Sequence, residues 1–253
     1  PDTPSGVSGG SKLAKITEGA VAFDGTDDIL SVEDSADFTF GSGDFTMEAF
    51  VYCNDASTIG THKSIVNKWT TDNASSSWFW SIHNGYQFFY FYYGSSAVIS
   101  AGYTLFPSKK WTHCAVVRDG NTLRIFQDGI QLDTDDVTGL TINDTSVALT
   151  IGGDADNNYH MDGFISNVRV IKGTALYTSN FTPPAEPLTN VTNTTLLCCQ
   201  NTTSTDNTWN TRMFVSGSAH TDKAGVLANG TEVFGGESIT NKYIFIVPNS
   251  NDP

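Results

Sequence analysis

The segment that most constrains the fold is WFWSIHNGYQFFYFYY at 78–93, where two aromatic runs flank the dipeptide Asn84-Gly85. Asn-Gly suits the two positive φ angles of a type I′ hairpin turn, so the sequence predicts an antiparallel pair in which His83 lies opposite Tyr86. Because side chains alternate across a strand, one face of this hairpin is almost wholly apolar and is expected in the core. That face carries Trp78, Trp80, Ile82, Gln87, Phe89, Phe91 and Tyr93.

The opposite face of the predicted hairpin is aromatic but keeps polar groups: Phe79, Ser81, His83, Tyr86, Phe88, Tyr90 and Tyr92. Aromatic rings can stack on the apolar face of a sugar, while hydroxyls and amides bond its rim. We therefore predict a ligand site at Tyr86, Tyr90 and Tyr92, with His83 and Asn84 at its tip. The alternative is that a loop, the C-terminal region or another subunit buries this face.

Other segments have the same short, alternating character. In FTMEAFVYC at 45–53, the predicted core face carries Phe45, Met47, Ala49, Val51 and Cys53. Residues 111–133 predict a meander with turns at Asp119-Gly120, which would pair Arg118 with Asn121, and at Asp128-Gly129. Cys114, Val116, Leu123 and Ile125 would then share one apolar face.

Long helical patterns are absent, so the chain is predicted to be all-β. We expect a linker or N-terminal arm at 1–14, the main domain at 15–200 and a small β appendage at 201–253. The appendage either belongs to this domain or pairs with a neighbouring subunit, and we expect a role in assembly. Trp69 and Trp111 are expected in the core, and GTALY at 173–177 is expected to form one short helical turn.

The charge excludes some partners. Among 253 residues, 13 Lys and Arg face 27 Asp and Glu, for a formal net charge of -14. Nucleic acids and anionic lipid surfaces are bound through cationic groups, so neither is expected as a partner. No stretch is long and apolar enough for membrane insertion. The acidity favours solubility or binding of a divalent cation.

Two acidic turns are candidate calcium sites: Asp24-Gly25-Thr26-Asp27-Asp28, and Asp154-Ala155-Asp156-Asn157-Asn158 with Asp162 nearby. Calcium takes six to eight oxygen ligands from carboxylates, amides and backbone carbonyls. We select Asp154, Asp156 and Asn158 as the candidate metal ligands. The alternative is that Asp and Asn are present because they are good turn residues.

No pattern of catalytic residues is evident. A strand with closely spaced carboxylates would indicate a glycoside hydrolase, but Glu48 is the only carboxylate in the interior of its strand. Nucleophile-elbow, zinc-protease and phosphate-loop motifs are also absent. We therefore predict a protein that is not an enzyme.

Three segments resemble the laminin-G-like, concanavalin A-like lectin domains. They are the opening GAVAFDGTDDILSVEDSADFTFGSGDFTMEAFVY at 19–52, the meander WTHCAVVRDGNTLRIFQDGIQL at 111–132, and the closing IGGDADNNYHMDGFISNVRVIKGTALYTSNFTPP at 151–184. The resemblance covers roughly residues 15–200. It implies a two-sheet antiparallel jelly-roll sandwich, and related domains often hold Ca²⁺ at the rim of the sandwich.

A narrower resemblance concerns the two ends of this domain. TPSGVSGGSKL at 3–13 and PAEPLTNVTNTTLLCCQ at 184–200 look like laminin-G-like domains in virion structural proteins of marine tailed phages. This resemblance implies an extracellular location on the virion surface, as a fibre or decoration protein that binds glycans or the host cell surface without catalysis. Other virion proteins and further copies of the chain, as a homo-oligomer, are the expected partners.

Three other functions stay open. The chain could be a purely structural capsid or tail subunit held by protein contacts, or a cellular extracellular adhesin that binds carbohydrate. It could also be an extracellular enzyme that cleaves glycans, since residues from distant segments can meet in a fold.

Overall fold

The computed structural model describes residues 20–72, 76–200, 213–216 and 220–221. These residues form two antiparallel sheets, as the all-β prediction requires, and the fold is a sandwich. The strands are β1 (Val21–Asp24), β2 (Ile29–Val32), β3 (Phe45–Cys53), β4 (His62–Lys68), β5 (Trp78–His83), β6 (Tyr86–Tyr93), β7 (Ser96–Leu105), β8 (Trp111–Asp119), β9 (Thr122–Gln127), β10 (Ile130–Asp136), β11 (Leu149–Ile151), β12 (Asp162–Lys172), β13 (Thr194–Cys198), β14 (Met213–Ser216) and β15 (His220–Thr221).

The eight-stranded sheet has the order β10-β9-β8-β3-β12-β1-β15, and β13 also pairs with β12. The seven-stranded sheet has the order β14-β2-β11-β4-β5-β6-β7. A single-turn 3-10 helix lies at Ala36–Phe38. No helix among the described residues has the length and apolar character needed to cross a bilayer.

The core lies between the two sheets and is built from the faces that alternation predicted. All five inward residues of β3 are fully buried, and Trp78, Trp80, Phe89 and Phe91 of the hairpin meet them from the other sheet. His83 pairs with Tyr86, and both Asn84 and Gly85 have positive φ. The predicted hairpin register is therefore confirmed.

One turn of the meander differs from the prediction. Asp119 pairs with Thr122, so Gly120 and Asn121 form the turn, and Arg118 faces Leu123 instead of Asn121. Gly120 has a φ of 57° whereas Asn121 is not in the left-handed region, a combination that fits glycine at the first position of a type II′ turn. The observed pairing differs from the predicted one by two residues. Because side chains alternate with a period of two, the core face still carries Cys114, Val116, Leu123 and Ile125.

Three local predictions are wrong. Residues 173–177 contain no helical turn. Trp111 is 39% exposed and packs beside Tyr52 and Phe164 on the outside of the eight-stranded sheet. Trp69 is half-buried on the outside of the seven-stranded sheet.

The C-terminal strands extend the sandwich itself. β14 pairs with β2 and β15 pairs with β1, so one short strand lies at the edge of each sheet. On the opposite side of the sandwich, Gly102 of β7 lies so close to Leu132 of β10 that a side chain would not fit. The remainder of 201–253 lies outside the described residues, as does the predicted linker at 1–14, and the role in assembly stays a prediction.

Candidate functional site

A continuous group of aromatic rings covers the outer side of the seven-stranded sheet. We call this group the aromatic face, and it comprises His62, Trp69, Phe79, His83, Phe88, Tyr90, Tyr92 and Tyr159. β4, β5 and β6 supply most of these residues because their inward neighbours are already committed to the core. Trp69 follows the end of β4, and Tyr159 reaches the face from the loop before β12.

Trp69 organises one half of the aromatic face. Its ring stacks on Tyr92, with ring centres 5.5 Å apart, and meets the Tyr90 ring edge-on at 5.1 Å. Tyr90 and Tyr92 are themselves edge-to-face at 5.3 Å. These mutual contacts hold the rings in fixed orientations, which reduces the entropy lost when a ligand binds.

Two stacked imidazoles organise the other half. The ring centres of His62 and His83 are 3.9 Å apart and nearly parallel, and Tyr159 meets the His62 ring edge-on at 5.2 Å. His62 Nδ1 lies 2.9 Å from Ser81 Oγ. Burial and the nearby charge of His83 lower the pKa of His62 to about 4, so His62 is neutral at physiological pH.

The aromatic face is partly open to solvent. Tyr159 is 37% exposed, while Trp69, Phe88 and Tyr90 are half-buried and Phe79 and Tyr92 are buried. Burial and a hydrogen bond with Tyr92 raise the pKa of Tyr90 to about 12, so its hydroxyl stays protonated and can both donate and accept. The face therefore combines apolar ring surface with neutral hydrogen-bonding groups.

The ligand residues predicted from the sequence lie on or near this side of the sheet, but they have different roles in the structure. Tyr90, Tyr92 and His83 belong to the aromatic face. Tyr86 lies on the same side at the hairpin end, but no ring contact among the described residues involves it. Asn84 supports the tip, because its Oδ1 accepts a hydrogen bond from the Gly60 backbone N–H at 2.7 Å.

The acidic loop 154–158 borders the aromatic face near Trp69, since the Ala155 N–H donates to the Trp69 carbonyl. Asp154 is fully buried, and its Oδ1 accepts hydrogen bonds from the backbone N–H groups of Asp156 and Asn158. Its Oδ2 is buried and has no hydrogen-bond partner among the described residues, and burial raises the pKa of Asp154. Asp156 instead accepts from the N–H and hydroxyl of Thr71.

The fit of these residues to calcium is partial. Asp154 Oδ2 is available as a ligand. Asp156 Oδ2, however, already accepts hydrogen bonds from Thr71, and the Asn158 Nδ2 group donates to the Asp156 carbonyl. In the other acidic turn, Asp24, Asp27 and Asp28 bring one carboxylate oxygen each to within 4.8 Å of the others. Both turns offer hard oxygen ligands, and calcium binding at Asp154, Asp156 and Asn158 stays a prediction.

The outer side of the eight-stranded sheet contains a buried charged network that the sequence did not reveal. Glu48 of β3 is fully buried and accepts hydrogen bonds from Arg169, His113 and Tyr177. Burial acts to raise the pKa of Glu48, but the hydrogen bond from His113 and the charge of Arg169 outweigh it and hold the pKa below its ordinary value. Glu48 therefore remains ionised as an internal ion-pair partner.

Residues 174–181, which we call the cover, seal this network from solvent. Tyr177 and Phe181 of the cover stack with ring centres 3.6 Å apart and pack against Phe126, Ala115 and Val117. The Thr46 hydroxyl donates to the Thr174 carbonyl and accepts from the Leu176 N–H. The cover thus buries the part of this side around Glu48 and Phe126, whereas Trp111, beside Tyr52 and Phe164, remains exposed.

The sandwich of two antiparallel sheets can now be compared with known proteins. The model of Laminin_G_3, described as the concanavalin A-like lectin/glucanases superfamily, matches residues 24–177, more than half of the chain. The chain belongs to the concanavalin A-like lectin/glucanases superfamily. No curated protein sequence matches the chain.

One of the solved structures that are similar to the chain shares its fold. A protein of Bacteroides ovatus described as a candidate carbohydrate binding protein has a TM-score of 0.60 at 15% identity, over 92% of this chain. This chain spans 62% of the length of that protein. A pentraxin from Limulus polyphemus has a TM-score of 0.48 at 13% identity, covering 79% of this chain and 95% of the pentraxin. The binding domain of Paraclostridial Mosquitocidal Protein 1 has a TM-score of 0.45 at 16% identity, covering 64% of this chain and 44% of the other.

Within this lectin-like fold, the sequence prediction missed Trp69, His62 and Tyr159 as members of the aromatic face. His62 pairs with His83 across β4 and β5, and a bulge between Ser64 and Val66 then shifts the alternation of β4 before it reaches Trp69. The residues that precede Tyr159 form an irregular loop, and Tyr159 itself has a positive φ. The sequence offered one signal for His62 and Trp69: these two rings, which also carry ring N–H groups, lie on either side of an apolar pair of residues.

Proposed function

We propose that the chain is a lectin-like binding module whose aromatic face binds carbohydrate without cleaving it. The observation that carries this proposal is the half-exposed aromatic face, which is fixed by ring contacts and carries tyrosine hydroxyl groups. An ordered apolar surface next to a few polar groups is the usual composition of a ligand site. The superfamily and the fold of the Bacteroides ovatus protein support the proposal.

The test compares two tryptophans on opposite sides of the sandwich. Trp69→Ala removes a ring from the aromatic face, and Trp111→Ala removes an exposed ring from the eight-stranded sheet. We expect glycan-array binding by the unmodified chain and a loss of about tenfold or more in affinity for Trp69→Ala, or about 1.4 kcal/mol. Trp111→Ala should bind normally. Equal losses in both variants, or binding by neither the parent chain nor the variants, would overturn the proposal.

The non-catalytic part of the proposal has its own readout. Glu48 is the buried carboxylate at the middle of β3, and both of its oxygens are hydrogen-bonded beneath the cover. This arrangement supports a structural role for Glu48. We expect no released sugar when the purified chain is incubated with a glycan that it binds, as measured by mass spectrometry. Shorter oligosaccharides that depend on the chain would show that it is a glycanase.

We further propose that this module is displayed on the outside of a phage virion. The support is the resemblance of segments 3–13 and 184–200 to virion proteins of marine tailed phages. Antibodies against the chain should label intact particles in electron micrographs, and Trp69→Ala particles should assemble but adsorb poorly to host cells. Failure of Trp69→Ala particles to assemble would favour a structural subunit instead.

The calcium prediction is also kept as a proposal. Asp154, Asp156 and Asn158 would hold the ion through oxygen ligands and would thereby fix the loop that borders Trp69. Calorimetric titration with Ca²⁺ should give heat that Asp154→Asn abolishes and Asp27→Asn does not. The reverse pattern would assign the ion to Asp24, Asp27 and Asp28.

A further inference from the structure

We propose that the aromatic face selects uncharged polysaccharide chains and discriminates against anionic ones. This inference rests on the proposed carbohydrate binding and specifies the chemical class of the ligand. It comes from the position of every positively charged side chain in the described residues relative to the aromatic face.

Eight lysines and arginines lie in the described part of the chain, and six of them belong to the eight-stranded sheet or to the loop that enters it. Arg118 donates to the backbone carbonyls of Gly41, Gly120, Val137 and Leu140, and Arg169 is bound to Glu48. The other four are Lys109, Lys110, Arg124 and Lys172. None of these side chains is on an element that contributes to the aromatic face.

The remaining two cations, Lys63 and Lys68, are on β4 but point away from the aromatic face. Lys63 pairs with Ile82, whose side chain is in the core, and cross-strand partners share one side of a sheet. Lys68 is buried, and its ammonium donates to Asp34 at 2.5 Å and to the Thr145 carbonyl at 2.9 Å. Both lysines therefore lie on the core side of β4, opposite to the aromatic face.

The described residues that border the aromatic face on β7 and in the loop 154–158 include no lysine or arginine. Tyr92, Tyr90 and Phe88 pair with positions 97, 99 and 101 of β7, which the sequence fills with Ala, Ile and Ala. On the opposite border, Asp156 presents its carboxylate beside Thr71. His62 adds no positive charge at neutral pH, since its pKa is lowered to about 4.

This charge pattern determines which ligands the face can accept. A carboxylate or sulfate placed over the rings would lose water without gaining a lysine or arginine partner among the described residues, and it would also approach Asp156. A neutral sugar can stack its apolar face on the same rings while its hydroxyls exchange hydrogen bonds with tyrosine. The anionic member of any pair of otherwise identical polysaccharides should therefore bind more weakly.

The experiment uses matched pairs of ligands with the full chain at neutral pH. Each pair has one backbone: cellohexaose with its C6-carboxylate form, galactan with sulfated galactan, and mannan with phosphomannan. In every pair that binds, we expect the neutral member to bind about tenfold or more tightly by calorimetry. The penalty on the anionic member should shrink at high salt, because screening weakens repulsion between exposed charges.

A charge insertion on the same side of the sheet sharpens the test. Tyr86 makes no ring contact among the described residues, so Tyr86→Arg places a cation beside the aromatic face with little disturbance, and Tyr86→Gln is its uncharged control. We expect Tyr86→Arg, but not Tyr86→Gln, to improve binding of the anionic members several-fold.

The outcomes separate the two proposals. Equal or tighter binding of an anionic member by the unmodified chain would overturn the charge selectivity while leaving carbohydrate binding intact. Absence of binding to every member would overturn carbohydrate binding as well.

Discussion

The two outer sides of the sandwich differ in how they treat their polar and aromatic residues. On the eight-stranded sheet, the cover buries Glu48, His113 and Phe126 and forms a second small core there, while Trp111 outside it remains exposed. On the seven-stranded sheet, no comparable segment among the described residues lies over Trp69 and Tyr90, which remain half-buried. Exposed aromatic clusters are costly in solvent and commonly mark a binding surface.

Under the proposed function, the same residue types contribute to stability beneath the cover and to recognition on the aromatic face. A charged network sealed from water is sensitive to the loss of any member, because the remaining charge is left buried. Rings that are half open make fewer contacts and tolerate substitution better. Four predictions follow from this contrast, in order of decreasing effect.

The largest effect is expected for Glu48→Gln on the covered side. Removing the anion leaves Arg169 buried without its partner, which should lower the free energy of unfolding by about 3–5 kcal/mol. Urea denaturation measures this, with exposed Glu33→Gln as the control that should be nearly neutral. A loss below about 1 kcal/mol would mean that the network is not a structural unit.

The second prediction compares one ring from each side. Phe181→Ala should destabilise the chain by about 2 kcal/mol, because it strips the stacked ring from the cover, and should leave glycan affinity unchanged. Tyr159→Ala should cost less than about 1 kcal/mol in stability but weaken glycan binding. Stability and glycan affinity are both measured for Phe181→Ala and for Tyr159→Ala. If Phe181→Ala weakened glycan binding and Tyr159→Ala caused the larger loss of stability, the assignment of the two sides would be reversed.

The third prediction uses acid to titrate the two sides separately. The pKa of His62 is about 4 in the folded chain and near 6.5 when unfolded, so below pH 6.5 the unfolded chain binds a proton that the folded chain refuses. His62 should therefore reduce the free energy of unfolding progressively as the pH falls from 6.5 towards 4. The pKa of Glu48 is lowered on folding, so its stabilisation is present above 4.5 and is lost as pH falls through the folded pKa.

Variants isolate these two windows. His62→Phe should flatten the pH dependence of unfolding between pH 6.5 and 4 relative to the unmodified chain. Glu48→Gln should change the dependence only below pH 4.5. Identical pH profiles for His62→Phe and the unmodified chain would show that the stacked imidazoles are not shielded from protonation.

The smallest effect is expected for Tyr86→Ala. Because Tyr86 lies on the same side as the aromatic face but outside its ring contacts, its loss should change stability by no more than about 0.5 kcal/mol. Tyr90→Ala should weaken glycan binding much more than Tyr86→Ala. Equal losses, measured by calorimetry, would extend the site to the end of the hairpin.

The sequence predicted the parts of the fold that depend on local rules. Alternation alone gave the bounds of β3 and its core face, and Asn84-Gly85 gave the hairpin register, because turn chemistry and side-chain period act over a few residues. The turn at Gly120 was misplaced because Asp-Gly and Gly-Asn are both acceptable turn dipeptides, and only the pairing of the whole strand distinguishes them.

The site could be predicted only in part because its members meet through tertiary structure. Tyr90, Tyr92 and His83 were found since they lie on one hairpin. Trp69 was missed because the β4 bulge breaks the alternation that would have placed it. The Glu48 network joins residues 48, 113, 169 and 177 from four segments, although an ionisable residue inside an apolar alternating strand was a signal that a partner would be needed.

The most direct test of the contrast between the two sides is hydroxyl-radical footprinting with and without a bound neutral glycan. Oxidation of Trp69, Tyr90 and Tyr159 should fall when the glycan is bound, while oxidation of Trp111 should not change. Protection of Trp111 with no protection of Trp69 would contradict the account and would place recognition on the outer side of the eight-stranded sheet.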